Sequence, residues 1–189
     1  MKIILASKSP RRKELLESIG AKIEIMPSEA EEDIVENNPF ELVKKLSEIK
    51  AVSVYDKIRD GIKNEDVCVL GADTIVFANG KILGKPKDRA EAYEMIKSIS
   101  DNVHSVYTGF TIIFSDGRKI TDYSETKVHV IDMSEQQINE YIDTNEPYDK
   151  AGGYGIQGLF GKYVERIEGD YDNVVGLPIG RIKEIISIG

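Results

Sequence analysis

Hydrophobic residues follow two spacings along this chain, and their alternation outlines the fold. Short apolar runs such as residues 3–6 are typical of buried strands, whereas apolar residues three or four positions apart indicate amphipathic helices. The pattern predicts strands at residues 3–6, 22–26, 67–70, 75–78, 81–83, 104–114, 119–131 and 162–167. It predicts helices that begin after Ser9, Asn38, Asp88 and Ser134, and a final helix opened by Pro178.

Local signals mark the ends of several elements. Three helix starts show a capping box, a polar cap followed three positions later by Glu or Gln: Asn38 with Glu41, Asp88 with Glu91, and Ser134 with Gln137. Asn79-Gly80 predicts a tight hairpin turn. The highly charged residues 56–65 are expected to form a surface loop, and residues 71–74 are expected to break a strand.

The order of the elements predicts an α/β fold. Helices and strands alternate but hairpins interrupt them, so we expect a mixed, twisted β-sheet flanked by helices rather than a purely parallel one. The β-rich middle is expected to form a second lobe, with a central cleft between it and the N-terminal helices. A length of 189 residues suits one domain or two tightly joined lobes.

Composition narrows the class of protein. The formal net charge of -8 argues against a general nucleic-acid binder, although an acidic protein can still hold an anionic small molecule in a local basic pocket. Cys68 is the only cysteine and lies in an apolar run, which favours a buried residue over a nucleophile. No apolar run has the length of a membrane span and no signal-peptide pattern is present, so we expect a cytoplasmic location with no membrane partner.

The N-terminal strand, loop and helix form a candidate anion site. Backbone N–H groups and the positive end of a helix dipole favour an anion where such a loop enters a helix. Five basic residues precede the first acidic one, and they are Lys2, Lys8, Arg11, Arg12 and Lys13. A polyphosphate would suit this loop, but similar loops also occur in proteins that bind nothing there, and this one lacks both familiar Gly-rich phosphate signatures.

Phosphate-ester chemistry needs cations, a hard metal ion held by carboxylates, and a group that positions or deprotonates water. The candidate cations are Lys8, Arg11, Arg12, Lys50 and Lys85. Glu32 and Asp73 are the candidates for metal ligand or base, and Asp73 is favoured because it follows a buried strand. An Asp at that position could instead cap a turn. Lys50 borders an apolar helix face and could reach inward, although its spacing alone favours a solvated lysine.

The chain also resembles a known family in five segments that occur in the family's order and span nearly its whole length. They are residues 5–12, 71–74, 84–86, 149–158, and 169–171 with 174–178. On these segments the chain resembles the Maf family of nucleotide pyrophosphatases. The resemblance implies one Maf-type domain over residues 1–189, with an elongated fold similar to the inosine-triphosphatase type. It also implies hydrolysis of a nucleoside triphosphate to the monophosphate and pyrophosphate with a divalent cation, for which Mg²⁺, Mn²⁺ and Co²⁺ all remain open.

The resemblance also implies residue roles. Asp73 matches the position of the family's general base. Glu32 and Asp73 match the positions of its metal ligands. The implied phosphate contacts are Ser7, Arg12, Lys50 and Lys85. Arg11, Thr74 and Gln157 match the trio that marks the branch acting on dTTP and UTP, rather than the sister branch acting on 7-methyl-GTP. Modified pyrimidine nucleotides, a homodimer and a link to septum formation are further implications of the family.

Two other functions fit parts of the same pattern. A nucleotidyltransferase would use a similar loop and a similar Asp, but would release pyrophosphate only when a second substrate accepts the nucleotidyl group. A nucleotide-sensing module would bind the nucleotide and act through a partner without turnover.

Overall fold

The fold is given by a computed structural model that describes residues 1–63 and 65–188, with side chains to residue 186. The strands are β1 (Lys2–Leu5), β2 (Lys22–Ile25), β3 (Val67–Ala78), β4 (Lys81–Leu83), β5 (Asn102–Phe114), β6 (Lys119–Val130) and β7 (Val164–Glu168). The helices are α1 (Pro10–Ser18), α2 (Pro39–Ile62), α3 (Arg89–Ile99), α4 (Glu135–Ile142), α5 (Tyr171–Val175) and α6 (Ile179–Ile188). Short 3₁₀ turns occupy Pro147–Asp149, Ala151–Gly153 and Leu159–Tyr163.

The strands form one mixed sheet, which confirms the expected fold class. Its order is β2-β1-β3-β5-β6-β7, and β4 pairs with β3. Strand β1 runs parallel to β2 and to β3, whereas the β3/β4 and β6/β7 pairs are antiparallel. None of the helices in the described part of the chain is long and apolar enough to cross a membrane.

The chain forms two compact units. Unit 1 comprises Met1–Asp73, Thr108–Ser124 and Gly176–Gly189, and unit 2 comprises Thr74–Tyr107 and Glu125–Val175. Unit 1 has two apolar clusters because alternate residues of β1 and β3 point to opposite faces of the sheet. Leu5 and Leu70 pack with Leu16 of α1, whereas Val69 packs with Val54 of α2. Unit 2 has a single cluster built around α3, α4 and Phe160.

The helix caps and turns agree well with expectation. Ser134 and Gln137 form the complete capping box. Asn38 and Asp88 cap their helices as predicted, but the second hydrogen bond of the capping box is not formed at either of these two described helices. Instead, the Asn38 N–H donates to Glu36, and the Glu91 carboxylate accepts from the Lys87 N–H. The Asn79-Gly80 turn has both residues at positive φ (51° and 75°) and joins β3 to β4.

The expectation of a surface loop at residues 56–65 was wrong, because α2 continues to Ile62. Val54, Ile58 and Ile62 keep the four-residue spacing of the apolar stripe, and all three contribute to the cluster under the helix. The charged residues between them lie on the solvent-exposed face of α2. A high density of charged residues therefore indicates an exposed helix face here, not the end of the helix.

The expected break at residues 71–74 was also wrong, because β3 is continuous from Val67 to Ala78. A Cβ at Gly71 would lie 2.3 Å from the Ser47 carbonyl oxygen and 2.6 Å from the Ala51 nitrogen of α2. Gly109 of β5 stands equally close to the backbone of Val43. Gly71 is therefore required because α2 approaches the sheet too closely for a side chain, not because the strand turns.

We expect Gly71→Ala to lower the free energy of unfolding by about 1–3 kcal/mol, because the new methyl group meets rigid backbone. Gly61→Ala is the matched control: nothing lies within 4 Å of a Cβ there, so this change should stabilise α2 by about 0.5–1 kcal/mol. Urea unfolding of both variants measures the difference. An unchanged Gly71→Ala protein would contradict the close packing of α2 on β3.

Candidate functional site

The loop between β1 and α1 is held by its own hydroxyl groups. Ser7 lies two residues after β1 and is the last of a run of buried residues. Its Oγ accepts from the Ser9 N–H at 3.2 Å and from Arg12 Nη1 at 3.1 Å. The Ser9 hydroxyl caps α1 by accepting from the Arg12 N–H at 3.5 Å. The loop is thus ordered before any ligand arrives, which lowers the entropic cost of binding one.

Arg12 connects this loop to the segment before α6. Its Nε donates to the carbonyl of Gly176 at 2.9 Å, and Gly176 has a φ of 135° that L side chains rarely adopt. Burial lowers the pKa of the Arg12 guanidinium, and the Asp73 carboxylate opposes that shift, followed by Glu32. A guanidinium in this field is well suited to an anion that brings further negative charge.

Asp73 lies opposite Lys50, and the two form a largely buried ion pair in unit 1. Lys50 Nζ is 2.5 Å from Asp73 Oδ1 and 3.2 Å from Glu32 Oε1. The side chains of Lys50 and Asp73 are 12% and 15% exposed, whereas that of Glu32 is 48% exposed. One ammonium group therefore stands between two carboxylates at a partly open position.

The close packing of α2 explains why these side chains meet. Ala51 touches β3 at Gly71, so the preceding residue, Lys50, is carried to the sheet surface. Asp73 lies two residues beyond Gly71 and therefore on the same face of the strand. Lys50 consequently reaches inward, and the solvated lysine that its helical spacing alone favoured was wrong.

Glu32 and Asp73 together suit a hard divalent cation. Both carboxylates contact the same ammonium group, which places their oxygen atoms close to each other. Mg²⁺ is usually bound by one or two carboxylates plus substrate phosphates and waters, and this donor set fits that habit. No group of three or more His, Cys, Asp or Glu within the described ranges could hold a metal ion by itself.

The remaining predicted residues have simpler surroundings. Arg11 is partly exposed on α1 in unit 1. Thr74 follows Asp73 directly on β3 and is partly buried, and it belongs to unit 2. Lys85 and Gln157, also in unit 2, are both exposed: Lys85 follows β4, and Gln157 lies in the glycine-rich segment 149–158. Their expected roles stay predictions.

The glycine-rich segment is folded rather than loose. Gly152 and Gly153 have φ values of 68° and 73°, and a Cβ at Gly152 would lie 2.8 Å from the Val76 side chain. The next residue, Tyr154, is buried, and its hydroxyl is 2.6 Å from Nε2 of His104. Burial lowers the pKa of His104 to about 4, so this imidazole is neutral near pH 7.

Cys68 is buried as expected, and burial raises the pKa of its thiol to about 12. Sequence reasoning missed the Gly176 carbonyl that orients Arg12, and also Glu146, which contacts the glycine-rich segment. The glycine itself was a signal for the first, whereas no local pattern distinguishes Glu146 from other surface acids.

The protein is an α/β protein in which two carboxylates, a lysine and an arginine lie near one another beside parallel strands, a set of groups that suits phosphate chemistry. A family model described as "Maf-like protein" matches residues 2–187, and the chain belongs to this family. A "dTTP/UTP pyrophosphatase" of Thermoanaerobacter sp. (strain X514) is 50% identical over 188 residues, covering 99% of this chain and 96% of that one.

Other comparisons agree. A protein of the same description from Carboxydothermus hydrogenoformans is 47% identical over 183 residues, covering 96% of this chain and 95% of the other. The solved structure of a HAM1 protein from Coxiella burnetii has a TM-score of 0.53 at 14% identity, covering all of both chains. At that identity the likeness concerns the fold alone.

Lys50→Met should lower the free energy of unfolding by about 1–3 kcal/mol, because it leaves the largely buried Asp73 carboxylate without its ammonium partner. Lys57→Met is the matched control: Lys57 is also on α2 and also lies 2.5 Å from a carboxylate, that of Glu29, but both side chains are exposed. Its loss should not change stability measurably. Adding Asp73→Asn to Lys50→Met should recover part of the loss in urea unfolding, and equal stability of all these variants would contradict the buried pair.

Proposed function

We propose that this protein is a nucleoside triphosphate pyrophosphatase that hydrolyses dTTP and UTP, and their modified pyrimidine analogues, to the monophosphate and pyrophosphate. The observation that carries the proposal is the Lys50–Asp73 pair with Glu32 beside it. Both carboxylates act electrostatically on Arg12, which is bonded to Ser7 in the pre-ordered loop. The activity for which the two relatives are named supports the substrate class.

Asp73 is proposed as the general base. Attack of a water oxygen on the α-phosphorus forms one P–O bond and breaks the bond to the oxygen that bridges the α- and β-phosphorus atoms. The electron pair of that bond leaves with pyrophosphate, and the water proton passes to the Asp73 carboxylate. Lys50 holds this carboxylate in place through its 2.5 Å contact.

The positive side chains of the site are proposed to stabilise the charge that develops on the leaving group. The Ser7 hydroxyl and the Arg12 guanidinium would bind phosphate oxygens at the β1–α1 loop, and Lys50 and Lys85 would add charge. Glu32 and Asp73 would hold a divalent cation, Mg²⁺ or alternatively Mn²⁺ or Co²⁺. When bound, such an ion neutralises phosphate charge and lowers the pKa of a bound water.

Arg11, Thr74 and Gln157 are proposed to select the base. The Gln157 amide has a donor and an acceptor, which suit the O4 atom and the N3–H group of uracil or thymine. Cytosine reverses donor and acceptor at these positions, so a site built on these hydrogen bonds, with the amide held in one orientation, can reject it. Thr74 would pack beneath the base.

The biological setting is proposed from the family and the composition. We infer a single Maf-type domain over residues 1–189 that acts in the cytoplasm as a homodimer and has a link to septum formation. The net charge of -8 supports a function without nucleic acid.

The test is a panel of nucleotides with Mg²⁺, scored for pyrophosphate against orthophosphate. We expect pyrophosphate from dTTP and UTP, and little from CTP, ATP, GTP or 7-methyl-GTP. Asp73→Asn should lower kcat by about 10²- to 10⁴-fold, whereas Asp116→Asn, an exposed acid paired with Arg118, should leave it unchanged.

Other outcomes identify the competing functions. Full activity in Asp73→Asn would contradict the assignment of the base. Pyrophosphate release only in the presence of a second acceptor would indicate a nucleotidyltransferase, and binding without turnover would indicate a sensing module.

A further inference from the structure

The 3₁₀ turn at Leu159–Tyr163 is preceded by a glycine, which has no side chain to cap it. The first N–H groups of any helical turn lack partners within the turn, and Gly158 at its N-terminal end has no side chain to supply one. The carboxylate of Glu146 supplies the acceptors from another part of unit 2. Its Oε2 accepts from the Leu159 N–H at 2.8 Å, and its Oε1 accepts from the Phe160 N–H at 3.4 Å.

The Glu146 carboxylate also contacts Tyr141, whose hydroxyl lies beside Gly153 at the other end of residues 153–160. The Tyr141 hydroxyl lies 3.2 Å from Glu146 Oε1 and 3.1 Å from the Gly153 carbonyl, to either of which it can donate. Burial, and then the Glu146 charge, raise the pKa of Tyr141, so the phenol keeps its proton. Hydrogen bonds thus hold residues 153–160 at both ends, at Gly153 through Tyr141 and at Leu159 and Phe160 through Glu146. The exposed Gln157 lies between these two points.

The position of Glu146 is itself constrained. Its N–H donates to the Thr144 hydroxyl at 3.2 Å, its carbonyl accepts from Lys150 Nζ at 2.7 Å, and the buried Pro147 follows it. The carboxylate also fills the space beside Gly158, where a Cβ would lie 2.3 Å from Glu146 Oε1. Neither the carboxylate nor the segment can therefore move without disturbing the other.

We propose that Glu146 is a positioning residue for base selection: it fixes the segment that presents Gln157. The inference rests on the proposed role of Gln157 in reading the base. Because Glu146 acts on base binding and not on the phosphate groups, its loss should raise KM for UTP and leave kcat nearly unchanged. The ratio of kcat/KM for UTP over CTP should then fall.

The experiment measures kcat and KM for UTP and CTP, by pyrophosphate release, in the full-length protein. Glu146→Ala should lower the ratio of kcat/KM for UTP over CTP about 10-fold, as expected when the hydrogen bonds that orient the segment with Gln157 are lost. Glu146→Gln keeps one acceptor oxygen and should recover part of the ratio. Glu140→Ala is the matched control: Glu140 is an exposed acid of α4 whose Oε1 accepts from Gln136 Nε2, and this variant should behave as the wild type.

A double-mutant cycle tests whether Glu146 acts through Gln157. If it does, Glu146→Ala combined with Gln157→Ala should have the same UTP/CTP ratio as Gln157→Ala alone. If Glu146→Ala does not fold, as judged by circular dichroism and urea unfolding, Gly158→Ala takes its place in the cycle, because its methyl group displaces the same carboxylate.

Two results would overturn the inference while leaving the proposed function intact: an unchanged ratio in Glu146→Ala or its substitute, or effects of the two changes that multiply. An unchanged ratio in Gln157→Ala would remove the proposed role of Gln157 and this inference with it. The site of cleavage is judged separately, from pyrophosphate release by the wild type.

Discussion

Helix α2 can place Lys50 beside Asp73 only because Gly71 has no side chain. At this point the Ser47 carbonyl and the Ala51 nitrogen lie so near β3 that even a methyl group would collide with them. The contact sets the height of α2 above the sheet, and Lys50 then reaches the face that carries Asp73 at 2.5 Å. The candidate site is therefore a consequence of backbone packing, and the charged groups are added to an arrangement that the core has already determined.

Features with a short-range physical cause could be predicted from the sequence. Ser9, Asp88 and Ser134 cap their helices because a side-chain oxygen meets an N–H group only three residues away. The Asn79-Gly80 turn follows from the ease with which these two residues adopt positive φ. The mixed sheet followed from helices that alternate with hairpins. The candidates Ser7, Arg12, Glu32, Lys50 and Asp73 came from the groups that phosphate chemistry needs together with a family resemblance. The premise that Asp73 follows a buried strand was wrong, because Asp73 lies inside β3.

Features that depend on distant partners could not be predicted in this way. The charged stretch at residues 56–65 indicated a loop, because its composition outweighed the widely spaced apolar positions that continue α2. Gly71 indicated a break, because the backbone that requires it belongs to Ser47 and Ala51 of α2, at least 20 residues earlier. The contact of Glu146 with Leu159 likewise joins residues 13 apart through a segment without periodicity. In each case the residue type was visible, but its reason lay in tertiary structure.

In the proposed reaction, water attacks the α-phosphorus of the nucleotide beside Asp73. Turnover of UTP in water enriched in ¹⁸O, followed by mass spectrometry of both products, identifies the attacked atom, because that phosphorus keeps the water oxygen. We expect one ¹⁸O atom in the uridine monophosphate and none in the pyrophosphate. Label in the pyrophosphate would mean that the β-phosphorus is attacked, and would contradict the mechanism whatever the products are.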